Sequence, residues 1–312
     1  MINGILNIYK EKGYTSHDVV ARLRGIVGQK KIGHTGTLDP DAEGVLPVCL
    51  GRATKVCDML TDKDKTYEAV LLLGKTTDTQ DITGTVLSER PVDGVTEEKA
   101  VDQIRSYIGE YDQTPPMYSA LKVGGKKLYE LAREGKTVER KSRRVMIYDI
   151  RIKEICLPRI RMEVECSKGT YIRTLCHDIG ESLGVGGCME SLLRTRVGRF
   201  SVEDSLRLSE VEERAQSGEL SKIMLPLPGV FSALDQIILK EKYASLGYNG
   251  NPFLYRYVET QKAGSEEPHD AEQFRVYDIR GRFIGVYRYE KKRGQFRLEK
   301  MFLDQDELRR QS

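Results

Sequence analysis

Apolar positions first recur at helical spacing just after Thr15-Ser16, at Val19, Val20, Leu23, Ile26 and Val27, and the pattern stops at Gly28. A capping pair followed by that period predicts an amphipathic helix. The same reading predicts a helix from Thr96 to Ile108, with Val101, Ile104 and Ile108 on one face. A third is opened by Lys168-Gly169-Thr170, carries Ile172, Leu175, Ile179 and Leu183, and is closed by Gly184. The acidic stretch Glu203–Glu219 also reads as helical. Elsewhere the period is two. Thr66–Leu73 predicts a strand turned by Gly74. Val145–Ile155 and Arg161–Cys166 alternate so that Met162, Val164 and Cys166 oppose Arg161, Glu163 and Glu165. Joined through Leu157-Pro158-Arg159, these two runs predict an antiparallel hairpin.

Strands and helices mixed without a regular βα alternation argue for an α+β fold, with a mixed, largely antiparallel sheet and flanking helices. Pro226-Leu227-Pro228-Gly229 interrupts the chain. Beyond it, Arg275–Ile279, Phe283–Tyr289 and Phe296–Phe302 are short alternating runs punctuated by Gly281 and Gly294. The expected organisation is a large domain over residues 1–235 and a small β-rich domain over 236–312.

Composition narrows the class. Hydrophobic residues make up 39% of the 312, enough for a substantial core and too many for a disordered chain. The longest uncharged apolar runs, such as Val45–Leu50, are far short of the roughly 18 residues of a membrane span. The first residues lack a basic segment and a long apolar stretch, so the expectation is a cytoplasmic protein. The six cysteines contain no C-x-x-C pair and the four histidines are scattered. They read as small reduced hydrophobes, with no metal constellation.

Charge changes the picture more. The net charge is only +3, yet Leu121–Lys153 carries eleven cations against four anions, leaving −4 for the rest of the chain. Lys122, Lys126, Lys127, Arg140, Lys141, Arg143 and Arg144 lie in this segment, with Tyr118 and Tyr129 in and beside it. Aromatics interleaved with cations suit a flexible RNA strand. A solvated charged face fits the same residues, and the pattern leaves both readings open.

Three motifs fail on inspection. Gly74-Lys75-Thr76 lacks the first glycine of a phosphate loop, because position 69 is Ala69. Asp39–Gly44 resembles half an EF-hand, but the twelfth position is Leu50, where calcium needs Glu. No G-x-S-x-G is present. What remains is Gly33–Gly44, GHTGTLDPDAEG, in which glycines permit tight folding and Pro40 biases Asp39 toward extended backbone. Such a carboxylate can be aimed into a cleft. An ordinary Asx turn is the alternative.

The stretch Gly33–Lys55 closely resembles the catalytic motif of the TruB-type tRNA pseudouridine-55 synthases. Asp64–Tyr67, Thr77–Asp81, Gln113–Lys122, Gly124–Arg133 and Lys168–Leu175 match further motifs in the family's order, over roughly residues 4–230. The C-terminal module resembles, more faintly, that family's RNA-binding PUA domain. The resemblance implies a pseudouridine synthase fold with an RNA-binding insertion at about 121–153. The activity it implies is isomerisation of uridine 55 in the tRNA T-loop by base flipping, without metal or cofactor. It further implies a T-arm substrate and no obligate protein partner; a monomer is the default expectation. A tRNA-folding chaperone and a guide-RNA-dependent subunit are the competing roles.

By the same resemblance Asp39 is the catalytic carboxylate, attacking ribose C1′ or assisting departure of the uracil, and Arg173 pairs with it. Tyr67 stacks on the target base and takes part in removing the C5 proton. Leu192 closes the apolar side of the pocket, Tyr171 is a second aromatic and Asp81 a polar pocket residue. His34 enters the space left by the flipped nucleotide, and Lys10 and Lys55 are backbone-facing or site-edge cations. One departure is visible: Tyr9-Lys10-Glu11 stands where the family has Asp-Lys-Pro.

Overall fold

The computed structural model describes residues 1–259 and 267–303. The chain divides into two compact units, Met1–Met224 and Leu225–Ser312. The division falls ahead of the expected one at 235/236. Pro226 opens a short 3-10 turn, Leu227–Phe231, whose Phe231 packs on Phe283 and Phe302 of the second unit. The proline run therefore begins the second unit instead of ending the first.

In the first unit a nine-stranded sheet runs Gly4–Lys10, Glu43–Leu50, Gly187–Val197, Lys65–Leu73, Arg159–Cys166, Arg143–Cys156 and Gly109–Gln113, with Ile32–His34 and Phe200–Ser201 paired off this path. All pairings along the path are antiparallel except that of Gly187–Val197 with Glu43–Leu50, so the sheet is mixed and largely antiparallel. Helix Ile172–Ser182 buries Leu175, Cys176 and Ile179 in one apolar cluster with Leu71, Met162 and Val164. Helix Ser16–Val27 buries Val19, Val20 and Leu23 in a second cluster with Leu6, Ile8, Leu46 and Val48, joined by Val211 of helix Leu208–Gln216. Thr15 caps the first of these helices in a full capping box with Asp18.

Some boundaries move. The helix predicted to reach Ile108 is Glu97–Arg105, because Gly109, at φ +113°, redirects the chain into strand Gly109–Gln113. The acidic helix is likewise shorter than its charge run. The expected insertion at 121–153 is not one piece. Lys122–Val123 and Lys126–Lys127 form a small hairpin followed by helix Leu128–Arg133, but Arg143–Cys156 is an interior strand of the main sheet. Its buried Val145, Ile147 and Ile150 require that place. The six cysteines are unpaired, and Cys156, unlike most of the others, is exposed.

The second unit has a six-stranded sheet in the order Phe253–Leu254, Gln295–Met301, Phe283–Glu290, Gln273–Asp278, Asp235–Leu239, Val258–Glu259. Phe253, Phe274, Tyr287, Tyr289 and Phe296 form its aromatic core. Among the described residues no helix is long and apolar enough to cross a membrane.

Candidate active site

Strand Ile32–His34 leads into the Gly33–Gly44 loop and strand Glu43–Leu50 leads out of it. The backbone of Leu38 donates to Ser16 Oγ (3.0 Å), and Gly13 N donates to Pro40 O (3.0 Å). Beneath the loop lies Arg194, fully buried. Its Nε donates to Val45 O (2.7 Å), Nη2 to Gly36 O (3.4 Å) and Nη1 to Thr37 O (3.5 Å), and its guanidinium also bonds the Tyr67 phenol. Gly44 is obligatory at this contact: it sits at φ +104°, and a Cβ there would lie 2.2 Å from Arg194 O.

The Asp39 side chain is not used in an Asx turn. Arg173 Nε lies 2.9 Å from its Oδ2, and Arg173 Nη2 donates to its Oδ1 (3.3 Å). Arg173, only 5% exposed, also donates to Asp81 Oδ2 (3.3 Å), Thr79 O (2.9 Å) and Tyr118 O (2.8 Å). One guanidinium thus locks three loops around one carboxylate. Asp81 is held in turn by Thr79 Oγ1 (2.8 Å) and the backbone N–H of Thr83 (3.1 Å). Desolvation by the surrounding protein raises the pKa of Asp39, and the Arg173 charge pulls the other way. Burial pushes the Tyr67 phenol up to about 12.

Two clefts meet at Asp39. A larger one of about 640 Å³ is lined by Asp39, Asp81, Tyr118, Tyr129, Arg173 and Leu192 among others. A smaller one of about 520 Å³ shares Asp39, Arg173 and Leu192 and adds Tyr67, Tyr171 and Arg143. The structure therefore brings together Asp39, Tyr67, Arg173, Asp81, Tyr171 and Leu192. Tyr171 precedes helix Ile172–Ser182 and is clamped by Gln113, whose Oε1 accepts from Tyr171 N (2.7 Å) and whose Nε2 donates to Tyr171 O (2.9 Å).

Other expected site residues lie elsewhere. Lys10 is fully buried and donates to Tyr14 O (2.6 Å), Pro40 O (3.0 Å) and Glu11 O (3.2 Å), so it faces no RNA. Desolvation lowers its pKa to about 8. It ties the strand Gly4–Lys10 to the loop. Lys10→Met should leave three carbonyls without their donor and cost about 3 kcal/mol. Urea unfolding would show that loss, whereas the salt dependence of RNA binding should not change. Lys55 stands exposed on the turn Gly51–Val56, outside the walls of both clefts. His34 also lies outside both walls, edge-on to His17 at 5.4 Å.

The cations of Leu121–Lys153 divide. Lys127 and Arg133 flank the Tyr129 ring at 5.3 and 5.4 Å in the larger cleft. Lys126 pairs with Glu134 (3.3 Å), and Lys122 and Lys141 are exposed. Arg140 donates to Pro115 O (3.0 Å), which makes it an anchor for the Gln113–Lys122 segment. Arg144 pairs with Glu110 (3.2 Å) and Asp112 (3.4 Å). Arg194 and Ser119 were not foreseen. The one available signal for Arg194 was its place two residues after Leu192, on the same face of a strand.

The fold matches solved structures over nearly its whole length. A chain of a Cbf5–Nop10–Gar1 complex aligns with a TM-score of 0.70 and 26% identity, covering 97% of this chain and 86% of that one. A chain of an H/ACA RNP bound to a substrate RNA containing 2′-deoxyuridine gives 0.69 and 25%, with the same coverage. Residues 24–172 match the model of the TruB family pseudouridylate synthase N-terminal domain, and residues 173–238 that of the tRNA pseudouridylate synthase B C-terminal domain. The class is therefore that of the tRNA pseudouridine synthases, enzymes that isomerise uridine. The tRNA pseudouridine synthase B of Lachnoclostridium phytofermentans is 50% identical over 310 residues, covering 97% of this chain and all of that one. That of Clostridium perfringens is 43% identical over 305 residues, with the same coverage. The chain belongs to the TruB family.

Proposed function

We propose that this isomerase acts on uridine 55 in the T-loop of tRNA, with Asp39 as its single catalytic carboxylate. The observation that carries the reading is the Asp39–Arg173 pair at the meeting point of two clefts, with Tyr67 and Leu192 on the wall beside it. The reaction breaks N1–C1′, turns the uracil and forms C5–C1′ without consuming water. Two glycosidase-type carboxylates are unnecessary, since the base is retained. Asp39 either attacks C1′ or assists the departure of uracil, and Arg173 keeps it ionised and aimed. Tyr67 receives the flipped base; its ring replaces part of the stacking lost, a few kcal/mol. With a pKa of about 12, Tyr67 is a phenol at neutral pH. For Tyr67 to take the C5 proton, its phenolate must form within the complex.

The second unit serves as an RNA-binding, PUA-like module, and the enzyme works as a cytoplasmic monomer without a guide RNA or protein partner. Tritium release from C5-labelled uridine in a bare T-arm stem-loop tests this directly. Turnover by the purified chain, lost when uridine 55 is replaced, is the expected result. Turnover only with added partners would favour the guide-dependent role, and RNA remodelling without tritium release the chaperone role.

The pKa of Asp39 gives the sign of the pH dependence. Its working form is the anion, and desolvation places its pKa above the ordinary carboxylate value. kcat/KM should therefore fall on the acid side as pH drops through that raised value, in a single-proton step. A profile flat down to the usual carboxylate range would remove Asp39 from the rate-limiting ionisation.

A further inference from the structure

Cys49 and Cys57 line neither cleft, yet the fold sets their sulfurs against each other. Cys49 is fully buried in strand Glu43–Leu50, paired with Ile5 of one neighbouring strand and Gly33 of the other. Directly paired residues of antiparallel strands point their side chains to the same face, with Cβ atoms about 5 Å apart. Cys57 reaches that face from the start of the short helix Cys57–Thr61, which follows the turn Gly51–Val56. A Cβ on Gly33 would lie 3.3 Å from Cys57 Sγ. The missing side chain at position 33 therefore makes the room in which Cys57 Sγ lies over the strand pair, next to Cys49.

The two thiols differ in kind. The Cys49 thiol donates a hydrogen bond to Cys57 Sγ, which lowers the pKa of Cys57 against the opposing effects of burial and the Asp58 carboxylate. The same bond, together with burial, raises the pKa of Cys49. Cys57 is half-buried and forms its thiolate the more readily, whereas Cys49 is sealed from solvent and keeps its proton. Cys166, Cys176 and Cys188 are also buried, and desolvation raises their thiols. Packing explains a buried cysteine such as Cys49 by itself. It does not explain a second sulfur hydrogen-bonded to it at the edge of solvent. An attacking thiol beside a resolving thiol explains both.

We propose that Cys49 and Cys57 form an oxidation site, at which hydrogen peroxide converts the thiol pair to a disulfide. The Cys57 thiolate attacks one peroxide oxygen and the O–O bond breaks, leaving Cys57 as a sulfenic acid. The departing hydroxide takes up the proton that Cys57 lost on ionising. Cys49 then attacks the Cys57 sulfur, and its proton leaves with the hydroxyl group as water. Both sulfurs are oxidised and the peroxide is reduced to water. A small-molecule thiol reverses the bond by exchange, becoming a disulfide itself. The sulfurs already touch, and a bond of about 2 Å asks for a small further approach. Cys49 is held between two strands, so the turn Gly51–Val56 moves. The bond fastens that turn to the strand leaving the Asp39 loop, without adding or removing a group in either cleft. The site stands independently of the T-loop reading.

Trypsin cleaves after Lys31, Arg52, Lys55 and Lys63, so Cys49 and Cys57 fall in separate peptides, 32–52 and 56–63. After treatment of the wild-type chain with hydrogen peroxide and alkylation of the remaining thiols, mass spectrometry should find these two peptides joined. Dithiothreitol should separate them. The variant Cys156→Ser, at an exposed position, should lose two of its five remaining thiols to peroxide. In Cys49→Ala the reaction should stop at the sulfenic acid, so that dimedone labels Cys57. Reduced Cys57→Ala should keep wild-type isomerase activity, because neither sulfur lines a cleft. Oxidation of Cys156 in the wild type while peptides 32–52 and 56–63 stay separate would overturn the proposal, whether or not Cys49→Ala folds. Dimedone on Cys49 in Cys57→Ala, with none on Cys57 in Cys49→Ala, would overturn the order of attack.

Discussion

Asp39→Asn should abolish isomerisation, lowering the single-turnover rate by at least about 10⁴-fold, the scale on which loss of an essential nucleophile is measured. The amide keeps the shape of the side chain but cannot carry the negative charge of the carboxylate. The surroundings should survive, because Arg173 retains Asp81, Thr79 O and Tyr118 O as partners. Affinity for the T-arm should therefore change much less than the rate. Quench-flow measurement of tritium release, alongside filter binding, separates the two quantities. A variant within tenfold of the wild-type rate would mean that the carboxylate is not the chemical group.

Arg194→Met should be nearly as damaging, by a different route. The side chain fills a buried position, so removal of its charge strands the carbonyls of Val45, Gly36 and Thr37 and leaves the Tyr67 phenol without its guanidinium partner. A stability loss of about 3 kcal/mol follows from orphaning buried acceptors. Below the melting temperature a rate loss of about 10²-fold remains, because a shift of about 1 Å in the Asp39 loop is enough to cost that much. Arg194→Lys keeps the charge without the planar fork and should recover stability better than rate. Denaturant unfolding with single-turnover kinetics on both variants checks this. Equal recovery of both by lysine would reduce Arg194 to a buried charge with no aim.

Much of the first unit was legible because its signals are local. Thr15 and Asp18 are three residues apart, and strand Arg159–Cys166 buries Ile160, Met162, Val164 and Cys166 at a period of two. The reading failed where a window average displaced that period: counting charge over 121–153 joined an exposed hairpin to an interior strand whose Val145 and Ile147 alternate plainly. Lys10 misled for another reason. A lysine beside an active loop looks like an RNA contact, and only the carbonyls of Glu11, Tyr14 and Pro40 closing around its Nζ show an internal clamp.

Sequence alone determined the starts of the helices capped by Thr15 and Thr96, the strand faces, the Gly33–Gly44 loop and the family that its motifs resemble. Each depends on residue types within a few positions of one another. Tertiary structure decided the site. Asp39 and Arg173 lie 134 residues apart in the chain and meet at 2.9 Å, with Tyr67 and Arg194 drawn beside them by the pairing of Lys65–Leu73 with Gly187–Val197. It also decided which cations are clamps and which are paired. That distinction is a matter of desolvation and partners in space, and neither quantity is written in the spacing of charges along a chain.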